Sequence, residues 1–277
     1  MTSFVRAYAR NKGAVGGAMV LVLVGLIAVL ANWLFPFSPW DMQGAPFQPP
    51  GDPDFLLGSD SLGRDVAAGI AYGARVSLLI GGISTAVALL FGVTLGAIAG
   101  YAGGALDDVI MRFTEFFQTV PSFVLAIVLV AIFSPSLGSI VVAIAIVSWP
   151  PVTRVIRAEF LSLRSREFVQ AAHVLGHSHA AIVFREILPN ALAPMIVLAS
   201  LMVANAILLE SGLSFLGLGD PNLMSWGFMI GAGRSVIRLA WWMSVFPGLA
   251  IFLTVLALNL IGEGLGDALN PRLAQRR

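Results

Sequence analysis

Long charge-free runs set the rhythm of this chain, separated by short segments rich in Arg, Gly, Pro and Asp. Crossing about 30 Å of hydrocarbon takes roughly 20 residues at helical rise, so each run of that length predicts a membrane-spanning helix. Gly13 to Phe35 is the first and Val76 to Leu106 the second. Phe116 to Thr153 is long enough for two, reversed at Ser134, Pro135, Ser136 and Gly138, where turn residues cluster. Ile187 to Leu209 and Leu239 to Gly262 complete six predicted spans and an all-α integral membrane protein. Within the second run, Ser84, Ala88, Gly92, Gly96, Gly100 and Gly104 recur at every fourth position. Such a ridge lets a second helix backbone come close, and packing within the chain is the expected use of Gly92, Gly96 and Gly100.

Composition agrees with a bilayer as solvent. The 277 residues are 58% hydrophobic and 11% charged, whereas charged residues make up about a quarter of a soluble domain. Cysteine is absent, and the formal charge of +1 gives no footprint for nucleic acid. Arg and Lys are retained on the cytoplasmic side of a membrane. With an even number of crossings, one face holds Arg6, Arg10, Lys12, Arg112, Arg154, Arg157, Arg164, Arg166, Arg185, Arg272, Arg276 and Arg277. The other holds Arg64, Arg75, Arg234 and Arg238. Both termini and the segment from 160 to 190 are therefore expected in the cytosol.

The first run follows Arg10 and Lys12, and Val29, Leu30 and Ala31 resemble a cleavage site. Yet the run exceeds the usual core of a secretory signal and ends at Trp33, Phe35 and Phe37, as an interfacial belt does. It reads as a retained anchor over about 13–35, followed by an external segment that completes region 1–72. Region 73–267 is the transmembrane core, and 268–277 a cytosolic tail. The stretch with Trp226, Trp241 and Trp242 is expected to lie at the far interface. Glu210 falls near that interface by the same topology, where a carboxylate costs little, and structural anchoring or outer-gate packing is expected of it ahead of proton relay; Asn205, Asn259 and Glu263 share that ambiguity.

The segment from Glu167 to Asn190 is polar and punctuated by Gly and Pro. Glu167 suits a first helical turn, Phe168, Ala171, Ala172 and Leu175 recur at helical intervals, and Gly176 suits the left-handed end of a helix. Ser178 is placed to cap a second helix through Phe184, stopped by Pro189 before the next span. Two short helices joined at a glycine make a knob, with small Ala171 and Ala172 open to a close partner surface. A basic amphipathic helix lying on headgroups is the competing reading, and the arginines from Arg154 to Arg166 fit it.

The loop resembles the coupling loop of the membrane subunits of bacterial ABC importers. Gln170, Ala171, Ala172, Gly176, Leu188 and Pro189 stand at that family's spacings, with Gln170 in place of its Glu, Glu186 at its Ile position and Ile187 one step late. Leu56 to Leu78, Glu210 to Ile230 and Phe246 to Arg272 resemble segments of the dipeptide, oligopeptide and nickel importer permeases. The resemblance implies the type I ABC importer transmembrane fold and a permease subunit of the bacterial inner membrane. It implies a homologous permease partner, most simply as a heterodimer, two cytosolic ATPase subunits that bind ATP and Mg, and an external substrate-binding protein. It makes Glu167, Gln170, Ala171, Ala172, Gly176, Leu188 and Pro189 the coupling residues. Gly58, Asp60, Gly63, Arg64 and Asp65 form its external segment, either a self-satisfied turn or a contact for an external partner. Peptides are the implied cargo, with a nickel chelate, an opine or an oligosaccharide as alternatives within the family.

Catalytic motifs are missing from the sequence. A phosphate-binding loop needs Gly-rich backbone followed by Lys and Ser or Thr, and the single lysine, Lys12, is followed by Gly13 and Ala14. His173 and His177 have zinc-helix spacing, but Val174 stands where the catalytic Glu belongs. No cofactor, metal or catalytic residue is expected in this chain; His173, His177 and His179 read as polar positions on the loop. An ion-driven secondary transporter is the alternative from another class, and it calls for inverted repeats and mid-span ionisable groups.

Overall fold

The computed structural model describes residues 8–269, and every regular element among them is helical. The expected tail is outside the described residues from 270 onward, as are Arg6, Arg272, Arg276 and Arg277.

Asn11 starts α1 (Lys12–Leu34) by accepting the Ala14 N–H, and the helix runs 23 residues before Phe35 turns extended. α1 lies against α11 (Trp242–Leu269) and α2 (Val66–Ala102), so the first apolar run is built into the bundle. α2 has 37 residues, about 55 Å at helical rise against about 30 Å of hydrocarbon, and overshoots the bilayer. It begins ten residues before the predicted Val76, because the charge of Arg75 ended the apolar run in sequence. In the fold that guanidinium donates to the carbonyls of Ala28 and Val29 and to Asn32 Oδ1. A cation at the end of α1 meets the carbonyl end of a helix, where it is favoured.

The third predicted span is corrected. Pro121 lacks an N–H and holds Val120 extended at φ −94° and ψ 131°, so the chain breaks into α3 (Gly104–Thr119) and α4 (Ser122–Phe133), bent by 83°. α3 buries Asp107, Ile110 and Thr114 along one face. α4, with 12 residues, covers only about 18 Å. Five helices are long and apolar enough to cross a bilayer, and the bent pair counted as one makes six. The expected turn at Ser134–Gly138 is present: Ser136 and Ser139 form a reciprocal capping box that opens α5 (Leu137–Arg164). After α6 (Glu167–Val174), α7 (His179–Ala181) and α8 (Leu188–Ala191) come α9 (Ala193–Phe215) and α10 (Trp226–Gly233).

α2 is the spine, packed most extensively on α5 and also on α9 and α1. The small-residue ridge makes the α2–α5 contact. A Cβ on Gly92 would lie 2.6 Å from the Val152 Cβ, one on Gly96 2.6 Å from the Thr153 carbonyl, and one on Gly100 2.6 Å from the Phe160 Cβ. Ser84 and Ala88 are fully buried on the same stripe, while Gly104, at φ 58°, leaves it to begin α3. Close backbone approach of this kind gathers dispersion contacts where lipid offers no hydrophobic drive. Thr153 adds a hydroxyl bond to the Gly92 carbonyl at 3.2 Å.

At the opposite end of the bundle from α6, residues 36–65 fold back as a compact turn structure. Asp60 Oδ1 accepts the Leu62 and Arg64 N–H groups at 2.8 and 2.9 Å, and Asp65 caps α2 through the Ala67 N–H. Gly63, at φ 75°, passes so close to the Gly44 carbonyl that any side chain would collide. Gly58, at φ 84°, sits under the Trp242 indole, which donates to the Ser59 carbonyl at 3.0 Å. Asp60, Asp65 and the two glycines thus shape the turn, and the Trp242 bond to Ser59 holds it over α11.

The tryptophans depart from the interfacial expectation. Trp226 and Trp242 are buried, and Trp226 donates to the Ile70 carbonyl at 3.0 Å; Trp241 is the exposed one. Glu210 lies near the end of α9, as the sequence places it, but it is enclosed. It is 1% exposed, with Oε1 accepting from Ser214 and Ser225 at 2.7 Å each, and so joins α9 to the N-cap of α10 rather than facing an interface.

Candidate functional site

The loop between α5 and α9 is a folded knob with its own termini satisfied. α6 ends in a Schellman arrangement, in which the His177 N–H reaches the Ala172 carbonyl and the Gly176 N–H the His173 carbonyl. Gly176 takes φ 80°, as the sequence reading requires. Ser178 caps the next turn through the Ala181 N–H at 3.3 Å.

Pro189 does not stop that helix. A π-helical segment, Ile182–Ile187, widens the turn so that the Leu188 N–H bonds the Val183 carbonyl, and helix continues through Pro189 into α8. Proline removes the N–H that the carbonyl four residues earlier would use and crowds it sterically; the wider turn shifts the bonding register past that conflict. Asn190 Nδ2 then takes the Glu186 carbonyl at 2.7 Å.

The knob faces the opposite way from the expectation at one position. Ala172, 5% exposed, and Val169 turn inward. They share one core with Val152, Ile156 and Phe160 of α5, Ile182 and Ile187 of the π segment, and Met195 of α9. The outward surface carries Glu167, Gln170, Ala171, Gly176 and Pro189, and with them the apolar Phe168, Val174 (88% exposed), Leu175 (75%) and Phe184. Leu188 is half-buried. Periodicity alone marked Phe168, Ala171, Ala172 and Leu175 as one face. The fold divides them, because the inward stripe is set by Val169 and Ala172.

Polar contacts bind the knob to the bundle. Arg164, ending α5, donates to the carbonyls of Gly100 and Tyr101 at 3.2 and 3.3 Å, completing the end of α2. Tyr101 bonds His179 Nδ1 through its hydroxyl at 2.6 Å, and the His179 ring packs edge-on against His173. Among the described residues no three metal-ligating side chains converge.

Asp107 of α3 meets Arg157 of α5 through two hydrogen bonds at 2.5 and 2.6 Å. Asp107→Ala should leave Arg157 half-buried without its partner and cost about 1–3 kcal/mol, read as a lower thermal midpoint of the detergent-solubilised complex. An unchanged midpoint would remove the pair from the stabilising contacts.

A second feature escaped the sequence reading. A cleft of about 580 Å³ opens between the α3–α4 bend, α5 and α9, lined by Gln118, Ser122, Ser148, Pro150, Pro151, Arg154 and Asn205 among apolar neighbours. Adjacent prolines inside an otherwise apolar span were the available signal.

The helices form a bundle with a close-packed spine, and the knob shares one core with two of its long helices. Residues 92–275 match the family model described as "Binding-protein-dependent transport system inner membrane component", and residues 1–50 that of the "N-terminal TM domain of oligopeptide transport permease C". The chain belongs to this family of inner-membrane transport components. It is 45% identical over 282 residues to the dipeptide transport system permease protein DppC of Escherichia coli strain K12, covering 99% of this chain and 94% of the relative. The di/tripeptide permease DppC of Pseudomonas aeruginosa is 41% identical over 280 residues, covering 99% and 92%. The oligopeptide permease OppC of Haemophilus influenzae is 38% identical over 272 residues, covering 96% and 87%. A structure of the MetNI methionine ABC transporter in an inward-facing conformation matches with a TM-score of 0.61 at 16% identity, covering 73% of this chain and 96% of that one. The fold is thus that of an ABC importer's transmembrane subunit.

Proposed function

We propose that this chain is one half of the translocation pathway of an ATP-driven peptide importer. The observation that carries the coupling is the single core that roots the knob in both α5 and α9. A displaced knob then moves two spans with it, as packed elements shift between discrete arrangements rather than deforming. The exposed apolar residues Phe168, Val174, Leu175 and Phe184 give an ATPase subunit a surface to grip.

Arg112, Arg154, Arg157, Arg164, Arg166 and Arg185 gather toward the knob end, which supports placing that end and both termini in the cytosol. ATP and Mg belong to two separate cytosolic subunits, and a homologous permease, most simply a non-identical one, completes the pathway. An external binding protein delivers the cargo. Peptide cargo is supported by the dipeptide, di/tripeptide and oligopeptide permeases to which the chain is similar.

The test is reconstitution in proteoliposomes with the partner permease, both ATPase subunits and the loaded binding protein. Dipeptide uptake should require every component and ATP. Uptake by this chain alone, following a proton or sodium gradient, would end the reading.

A further inference from the structure

The cleft between the α3–α4 bend, α5 and α9 is not used by the coupling mechanism, and its lining is unsuited to lipid. Asn205 is exposed at the middle of α9, where an amide facing hydrocarbon is costly and one facing water is not. Across from it, Pro150 and Pro151 line the wall within α5. Lacking N–H groups, they leave the carbonyls of Ile146 and Val147 without helical donors. Backbone carbonyls without helical partners are tolerated at membrane depth where they border a water-filled cavity or are buried in protein.

Arg154 is exposed in the same cleft, nearer the knob, with Nη1 donating to Gln118 Oε1 at 3.1 Å. Neither ion pair among the described residues includes it, and the cleft lining holds no carboxylate. The volume of about 580 Å³ falls within the range of sites for small ligands.

Resting on the import reading above, we infer that this cleft is the wall along which cargo passes, and that Arg154 receives the carboxylate of a peptide's C-terminus. Gln118 orients the guanidinium by its one bond and leaves the other N–H groups to a carboxylate, which an Arg fork pairs in bidentate fashion. The Asn205 amide and the freed carbonyl of Val147, which lines the cleft, offer hydrogen-bonding partners to peptide N–H and C=O groups. The assignment concerns binding in transit, with no covalent step.

The natural absence of cysteine makes the test direct. In the complete complex with cysteine-free partners, Asn205→Cys should react with a membrane-impermeant maleimide at least about tenfold faster than Leu90→Cys, which is 73% exposed on apolar α2. Excess diglycine should slow the Asn205→Cys reaction several-fold, and diglycine amide should not. Adding Arg154→Gln should abolish that protection, while Arg154→Lys should retain it in part.

Labelling no faster than the Leu90→Cys control overturns the cleft as a pathway. Equal protection by the acid and the amide, or protection indifferent to residue 154, overturns the carboxylate role. Failure of the import reading looks different. The labelled cleft and its carboxylate protection would then persist in a complete complex that takes up no peptide.

Discussion

Valine at Gly96 should prevent α2 and α5 from closing and leave little assembled complex, whereas alanine at Gly82 on the same helix should be silent. A Cβ at Gly96 lies 2.6 Å from the Thr153 carbonyl and 2.8 Å from the Ile156 Cβ, a backbone atom and the first side-chain atom of a neighbouring helix, neither of which can swing aside; at Gly82 nothing lies within 4 Å. Overpacking alone costs about 1–3 kcal/mol, occasionally more. Here separation also lengthens the Thr153 hydroxyl bond to Gly92 and the Arg164 bond to Gly100. The measurement is the yield and thermal midpoint of the complex purified in detergent. Equal midpoints for Gly96→Val and Gly82→Ala would show that the ridge does not set the spacing of the two helices.

Gly176→Val should uncouple import without disturbing insertion. The space around Gly176 is open, so the substitution meets no clash, but φ stands at 80°. A left-handed conformation costs a residue with a side chain roughly 1–2 kcal/mol, which at 1.4 kcal/mol per factor of ten lowers the equilibrium constant for the native loop on the order of tenfold. Asparagine tolerates that region, so Gly176→Asn should retain most uptake while Gly176→Val loses about tenfold. Comparable uptake from the two variants would mean that the left-handed turn is not what coupling needs.

What the sequence disclosed follows from which forces are local. Charge-free length exposes a span wherever it is uninterrupted, so α1, α2, α9 and α11 were visible, and the four-residue ridge already pointed to helix packing. Gly176 and Ser178 were legible because left-handed turns and N-caps are chosen by single residues.

The bend at Pro121 was hidden because hydropathy runs on through Phe116 to Phe133 while the helix direction changes by 83°. The first two turns of α2 were hidden because Arg75 reads as a charge until Ala28, Val29 and Asn32 are found beside it. The enclosure of Glu210 was hidden for a related reason. Depth counted along one helix says nothing of Ser225, which arrives from the next one. Ala171 and Ala172 are equivalent by composition, and only the core beneath α6 decides which turns inward.

The 37-residue spine has one more consequence. Asp65 begins it in the turn structure pinned by Trp242, and Tyr101 near its last turn holds His179 of the knob. Both surfaces of the bilayer therefore touch the two tips of a single unbroken girder. On the proposed import reading, a receptor docking outside and a motor pulling inside would handle one continuous helix, with no relay of side chains between them.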